Sequence, residues 1–335
     1  MKTAIVILNW NGREMLERFL PSVVRFSSGQ DRQIIVADNG STDDSLDFLQ
    51  KNYPAVRQIV LDRNYGFAEG YNRALAEIDA DYFLLLNSDV QVTENWLGPL
   101  ENTLDHQMNI VAIMPKIRSF AEPDRFEYAG AAGGFIDWLG YPFCRGRVLQ
   151  TIERDHGQYD NPEEIFWATG ACMLIRARLF LEFGGFDASF FAHQEEIDLC
   201  WRIKSAGYRI VVQPASVVYH VGGGTLSADS PRKTYLNFRN NLAMLYKNLS
   251  ARTLWGVLSI RLVLDGLSAF VFLVQGKKEH FKSVWQAHRD FFRMKKELKS
   301  KRRENRKRRR GSPTGIYRGS IVWRYYTGRK ISPVR

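Results

Sequence analysis

A chain of 335 residues with 45% hydrophobic and 13% aromatic side chains can bury a core of ordinary size, which excludes a fibrous or wholly disordered protein. Its three cysteines, Cys144, Cys172 and Cys200, lie far apart and form no CxxC pair, which argues against a zinc knuckle or a disulfide framework. The net charge of +11 is uneven: 21 Lys/Arg face 4 Asp/Glu from Gly276 onward, against 26 and 32 before it, so an acidic body precedes a basic end.

Along the first ninety residues strand and helix periods alternate. Residues 4–8 are an apolar run of strand length, and 14–24 place Met15, Leu16, Phe19, Leu20 and Val23 at helical spacing. A second strand is expected over 33–37, then a turn at Asp38-Asn39-Gly40 and the start signal Ser41-Thr42-Asp43-Asp44 of a helix running through 49. A short strand over 58–61, a helix over 70–78 and a strand over 82–86 follow. This alternation predicts a mostly parallel sheet flanked by helices, with its chemistry on the strand-end loops. The first strand starts almost at Met1, so no leader is expected, and the lone cysteines fit a reduced, cytoplasmic setting.

Beyond these, 111–114, 166–175 and 208–213 read as strands and 196–206 as a helix, and from 236 onward the pattern is helical. Residues 254–274 are apolar except for Arg261, Asp265 and a few small polar residues. The longest uncharged stretch, 266–276, falls short of the roughly 20 apolar residues that span a bilayer, so an interfacial or buried helix is expected. Arg261, Asp265 and Ser268 recur at i, i+4 and i+7 and make one polar stripe on it. Next, Phe281, Val284, Trp285, His288, Phe291 and Phe292 sit among Lys278, Lys282, Arg289, Arg293 and Lys295, an aromatic face with a cationic rim that suits a lipid interface. Residues 299–310 hold nine Lys/Arg with Glu304 the only acid. By themselves they are expected to stay disordered and to grip anionic headgroups at about 1 kcal/mol per basic residue, or nucleic-acid phosphates.

Three pieces of the chain carry chemistry. Asn87-Ser88-Asp89-Val90 follows the run Tyr82-Phe83-Leu84-Leu85-Leu86, and a carboxylate at the carboxyl end of a buried strand sits where open α/β sheets bind ligands. Asp38 ends the second strand on the same rim, beside the Asn9-Trp10-Asn11 loop. The segment Asn64-Tyr65-Gly66-Phe67-Ala68-Glu69-Gly70-Tyr71-Asn72 offers two glycines and a helix start, as phosphate-binding loops require, although it is neither a Walker loop nor GxGxxG.

Asn9-Trp10-Asn11, Asp38-Asn39-Gly40-Ser41-Thr42-Asp43, Asn64-x-Gly66-Phe67-Ala68-x-x-x-Asn72 and Leu86-Asn87-Ser88-Asp89 resemble, in order, the motifs of family 2 glycosyltransferases with the GT-A fold. The likeness is closest to the rhamnosyltransferase-like branch of surface polysaccharide synthesis. It continues through Trp167-Ala168-Thr169-Gly170-Ala171-Cys172-Met173-Leu174, Gly184-Gly185-Phe186-Asp187-x-x-Phe190-Phe191, Glu195-Glu196-Ile197-Asp198-Leu199-Cys200-Trp201-Arg202 and His220-Val221-Gly222-Gly223, covering roughly residues 3–225.

The resemblance implies an α/β GT-A domain over 1–225, and the residue pattern beyond it adds a helical membrane-surface region over 226–298 and a basic, disordered tail over 299–335. It implies an inverting transferase that moves a sugar from a UDP-, GDP- or dTDP-sugar to a hydroxyl of a lipid-linked or growing glycan. Asp89 fills the slot of the metal-binding acid and His220 that of the late histidine, so a divalent cation, Mg²⁺ or Mn²⁺, is expected there as a Lewis acid. With Asn87 in place of the first acid, one anionic ligand remains, which suits an ion that keeps several waters. Asn9, Asn11, Asp38, Asn64, Gly66, Asn72 and Ser88 correspond to the nucleotide-sugar side, and Trp167, Thr169, Gly170 and Arg202 to the acceptor side. Glu196 occupies the slot of the general base, where the family has Asp, with Glu195 and Asp198 beside it. The expected setting is the inner face of the cell membrane, held by the C-terminal helices and basic tail. The alternatives are a sugar-phosphate nucleotidyltransferase, which needs a Gly-rich basic loop that Asn9-Trp10-Asn11-Gly12-Arg13 does not supply, and a basic-tail nucleic-acid binder, disfavoured by the acidic body.

Overall fold

The computed structural model describes residues 1–222 and 229–328; Gly223 of the late motif and residues 329–335 of the basic end lie outside the described residues. Strands β1 (Thr3–Asn9), β2 (Arg32–Asp38), β3 (Arg57–Val60) and β4 (Tyr82–Asn87) alternate with helices α1 (Arg13–Phe26), α2 (Ser45–Asn52) and α3 (Gly66–Ala76). Residues 82–86 of β4 are fully buried, as an apolar run covered on both faces must be. The chain continues through β5 (Val90–Val92), α4 (Gly98–His106) and β6 (Ile110–Ser119). Five short strands follow, β7 (Gly134–Asp137), β8 (Pro142–Cys144), β9 (Arg147–Val148), β10 (Thr151–Ile152) and β11 (Glu163–Glu164). Then come β12 (Cys172–Arg176), α5 (Ala177–Glu182), α6 (Glu195–Ser205) and β13 (Arg209–His220).

The main sheet runs β11-β13-β6-β12-β4-β1-β2-β3, with β5 paired to β13. β1 through β4 are mutually parallel, as expected, but β12 lies antiparallel between β4 and β6, so the sheet is mixed. This reversal matters for the site. The start of β12 pairs with the end of β4, Cys172 against Leu86, and so brings residues 166–171 to the carboxyl edge. β13 ends with His220 opposite Val90, which sets His220 beside Asp89.

The C-terminal third is α7 (Pro231–Asn248), α8 (Ala251–Val274), α9 (Lys278–Arg308), β14 (Ile316–Tyr317) and α10 (Ile321–Tyr326). The expectation of a disordered tail over 299–335 is overturned across its described residues. The basic run completes α9, β14 adds to a second sheet beside β7, and the Asp137 carboxylate accepts the Ile321 N–H at the start of α10. The run folds because the body supplies acceptors: Lys301 bonds Asp187 at 2.6 Å, Arg302 donates to the Tyr246 carbonyl, and Arg308 to the Glu182 carbonyl. Helix α8, at 24 residues, is long and apolar enough to cross a membrane by length and composition, yet Arg261 and Asp265 on it are buried against the body. Arg261 donates to the Leu139 carbonyl at 2.9 Å and stacks on the Tyr141 ring.

Candidate active site

The residues expected on the nucleotide side form a lattice of short polar side chains at the ends of β1 and β2. Asn9 donates to Asp38 Oδ1 at 3.1 Å and to Ser41 Oγ at 3.2 Å, while the Ser41 N–H donates to Asp38 Oδ2 at 2.9 Å. Asn11, in the left-handed region at φ 48°, accepts the Thr42 N–H at 2.7 Å. Asn39 accepts the Tyr65 N–H and donates to the Gly66 carbonyl, and Asn64 Oδ1 takes the Gly66 N–H at 2.8 Å. Asp38 is buried, Asn9 Oδ1 is a buried acceptor with no partner, Trp10 lies open on the rim and Ser88 is half-buried.

The phosphate-loop reading of 64–72 needs correction. The N–H groups that open α3, those of Phe67 and Ala68, donate to the Phe191 carbonyl at 2.7 and 3.1 Å, so they are not free for an anion. Gly66, at φ 78°, is glycine because a Cβ would sit 2.6 Å from the Phe191 ring. Asn72 likewise does not face a ribose: its side-chain amide exchanges two hydrogen bonds with the backbone of Phe186, at 2.8 and 2.9 Å.

Asp89 and His220 meet as expected, His220 Nε2 lying 3.1 Å from Asp89 Oδ1 and Nδ1 lying 3.3 Å from Glu127 Oε2. Burial alone would lower the imidazole pKa, but the hydrogen bond to Asp89 and the two adjacent carboxylates outweigh it and raise it to about 10. Asp89 is held below the usual carboxylate range: burial opposes this, and the hydrogen bond and charge of His220 prevail. The pair also fits a cation. Its donor set, a carboxylate oxygen and an imidazole nitrogen 3.1 Å apart, would hold a divalent cation. Glu127 then stands where an outer carboxylate fixes the tautomer of a metal-bound histidine. Among the described residues no group of three or more His, Cys, Asp and Glu gathers for a metal, so the remaining positions would fall to diphosphate and water.

The expected general base, Glu196, stands at the start of α6. Phe191, His193 and Gln194, none of them glycine, take φ of 65°, 69° and 74° in the four residues before Glu195. Such conformations cost about 1–3 kcal/mol each and persist only where their surroundings hold them. Glu195 is buried and Glu196 half-buried, and each keeps one buried oxygen without a partner. Burial pushes Glu196 up to about 7, against the backbone N–H groups of the helix start, and burial with the adjacent Glu196 charge pushes Glu195 well up. A half-buried carboxyl that titrates near neutrality is suited to taking a proton.

Asp198 and Arg202 are not part of this opening. Asp198 is fully buried and binds Lys247 at 2.8 Å, Asn248 at 2.8 Å and Arg202 at 2.9 Å, and Arg202 also holds the Phe183 and Gly185 carbonyls. They clamp α6 to the body. Trp167, on the rim segment, is buried and donates to the Phe135 carbonyl; Thr169 caps the Ala171 N–H, and a Cβ on Gly170 would meet the Phe67 ring. They shape the wall between the sheet and α3. Glu127 and Lys247 escaped the sequence reading, because each belongs to a site only through partners 93 and 49 or more residues away.

The chain matches the family model described as glycosyl transferase family 2 over residues 4–184. The N-acetylglucosaminyl-diphospho-decaprenol L-rhamnosyltransferase of Mycobacterium tuberculosis (strain ATCC 25618 / H37Rv) is 29% identical over 234 residues, 64% of this chain and 75% of that protein. Among solved structures, S. aureus TarS 1–349 in complex with UDP-GlcNAc is similar at a TM-score of 0.58 and 15% identity, over 98% of this chain and 93% of that one. GalNAc-T7 with UDP, GalNAc and Mn²⁺ is similar at 0.57 and 18% identity, over 74% of this chain and 48% of that one. With the ordered motifs, the strand-end rim and a family match covering more than half its length, the chain belongs to glycosyltransferase family 2 and is a GT-A enzyme.

Proposed function

We propose that the enzyme transfers a rhamnosyl or related hexosyl group, with inversion, from a nucleoside diphosphate to a hydroxyl of a diphospholipid-linked sugar at the inner face of a membrane. The observation that carries this reading is the contrast between two acids: Asp89, low and tied to His220 after the end of β4, and Glu196, pushed up to about 7 at the start of α6. Environments that drive two carboxyl groups apart assign them different roles. Asp89 and His220 would hold a divalent cation, which supplies charge to the departing diphosphate. Asn9, Asp38 and Ser41 fix the shape of the nucleotide side, and Ser88 stands between it and Asp89. Glu196 takes the proton of the acceptor hydroxyl as that oxygen attacks the anomeric carbon, while Glu195, kept neutral by its neighbour, leaves one negative charge there. The likeness to the diphospho-decaprenol rhamnosyltransferase supports the donor and acceptor classes.

A membrane setting is supported by α8, whose Val263, Phe270 and Val274 are 64%, 61% and 72% exposed, and by α9, where Trp285 is 71% exposed. Lys295 stands 5.3 Å above the Trp255 ring at their edge. Because the basic run also packs on the body, cutting the chain near Gly276 would damage the fold. The test is a donor panel of UDP-, GDP- and dTDP-sugars with Mn²⁺ or Mg²⁺ and N-acetylglucosaminyl-diphospho-decaprenol, followed by nucleotide release. Release with a dTDP-hexose that vanishes in Asp89→Ala supports the reading; no release with any donor sinks it. Flotation with anionic vesicles, reduced in Trp255→Glu/Phe270→Glu, tests the membrane part.

A further inference from the structure

The turn that carries Glu196 is strained, and the structure shows what holds it. Every backbone carbonyl from Ser189 to Gln194 has a donor. Those of Ser189 and Phe190 accept from the Arg239 guanidinium at 2.9 and 3.1 Å. Those of Phe190, Ala192 and His193 accept from the single side-chain amide of Asn240, at 2.9, 2.9 and 2.8 Å. The Phe191 carbonyl goes to the start of α3, and that of Gln194 to the Asp198 N–H. Asn240 is fully buried, and its own oxygen is held by Arg239 at 2.8 and 2.9 Å. The next residue, Asn241, reaches the Gln194 side chain at 3.3 Å and the Gly140 carbonyl at 2.8 Å, and accepts from Arg261 of α8.

We infer that Asn240, seated between Arg239 and Asn241 on α7, is the positioning residue for the general base. Resting on Glu196 as that base, the inference adds what aims it. An amide NH₂ shared by three carbonyls is a donor that no other side chain of this size supplies in this geometry. The carbonyls converge on it only while the turn stays left-handed at His193 and Gln194, so the bond set selects the conformation from which α6, and Glu196 with it, sets out. Arg261 extends the same chain of bonds to the exposed helix α8.

Asn240→Asp keeps the shape and sets a carboxylate oxygen against those carbonyls, so the turn should relax. With dTDP-rhamnose and N-acetylglucosaminyl-diphospho-decaprenol, kcat should fall about 100-fold, as a displaced group costs, with donor KM within about twofold. The acidic limb of the kcat–pH profile should shift, because Glu196 leaves its buried setting. In the double variant Asn240→Asp/Glu196→Gln, the loss should equal that of Glu196→Gln alone, since Asn240 acts through Glu196. Amide hydrogen exchange, which needs no substrate, should quicken over residues 189–196 and stay unchanged in β1 to β4. Unchanged exchange over that turn, or multiplied losses in the double variant, overturns the inference. Loss of donor binding together with transfer marks a merely structural residue and overturns it as well. Full transfer in Glu196→Gln refutes the base itself, while exchange still reports on the clamp. Should Asn240→Asp not fold, Arg239→Lys, which loses the fork to Ser189 and Phe190, carries the same readouts.

Discussion

The proposed nucleotide side and the proposed base side of this active site are held in different ways. Asn9, Asn11, Asp38, Asn39, Ser41 and Asn64 bond one another across the ends of adjacent parallel strands, within the first seventy residues. The base side stands on a strained turn pinned by α7, and α6 behind it on Lys247, a buried cation 2.5 Å from Asp187 and 2.8 Å from Asp198. One half is built from local chain geometry and the other from the C-terminal helices. Binding of the nucleotide and competence of the base should therefore separate under mutation.

The sharpest separation is expected from Glu196→Gln. Transfer should fall about 1,000-fold, within the range general bases contribute, while donor affinity measured by calorimetry stays within about twofold. Lys247→Met should cost about 3 kcal/mol of stability, because it leaves Asp187 and Asp198 buried without their shared cation. Urea unfolding checks this, and an equal loss of donor affinity in the folded fraction would erase the contrast between the halves. Glu127→Gln touches the other side: metal affinity should weaken about 10- to 100-fold with the kcat–pH profile unmoved. The smallest effect is a matter of pH. Glu196 titrates near 7 in the fold against an ordinary value of 4.5, so its neutral form is the one folding favours. The stability it contributes is full below about pH 4.5 and is lost as pH rises through about 7, whereas transfer rises over the same range as the base ionises. Glu196→Gln should thus be more stable than wild type above pH 7 by roughly 1–3 kcal/mol, and less so at pH 5. Equal melting temperatures at both pH values would contradict it.

The same division decides what was legible in the sequence. The strands β1 to β4 announce themselves by apolar runs, and Asp38 and Asp89 by following them, because a strand end is a position that sequence alone marks. Asp89 and His220 were paired through family resemblance, and the pairing of β13 with β5 explains their meeting. Asn72 and Asp198 misled for a shared reason: a polar residue in a motif looks the same whether it faces a ligand or, like Asn72, backbone 114 residues away and, like Asp198, a buried lysine 49 residues away. The basic run misled because a local excess of charge reads as disorder until Asp187 and the carbonyls of Tyr246 and Glu182 are known to face it. Asn240 and Arg239 were invisible for want of any signal in their neighbourhood; their partners are backbone carbonyls, which every residue has.

Helix α8 has one more consequence. Arg261 fastens it to the Leu139 carbonyl and to Asn241, with Asp265 alongside, so on the membrane reading this helix lies along the body and enters lipid sideways. A helix bedded flat fixes the height of everything bolted to it, and Asn241 bolts it to the turn before Glu196. On that reading the enzyme would work as a depth gauge, the hydroxyl within reach set also by how far a substrate's head stands above the lipid plane.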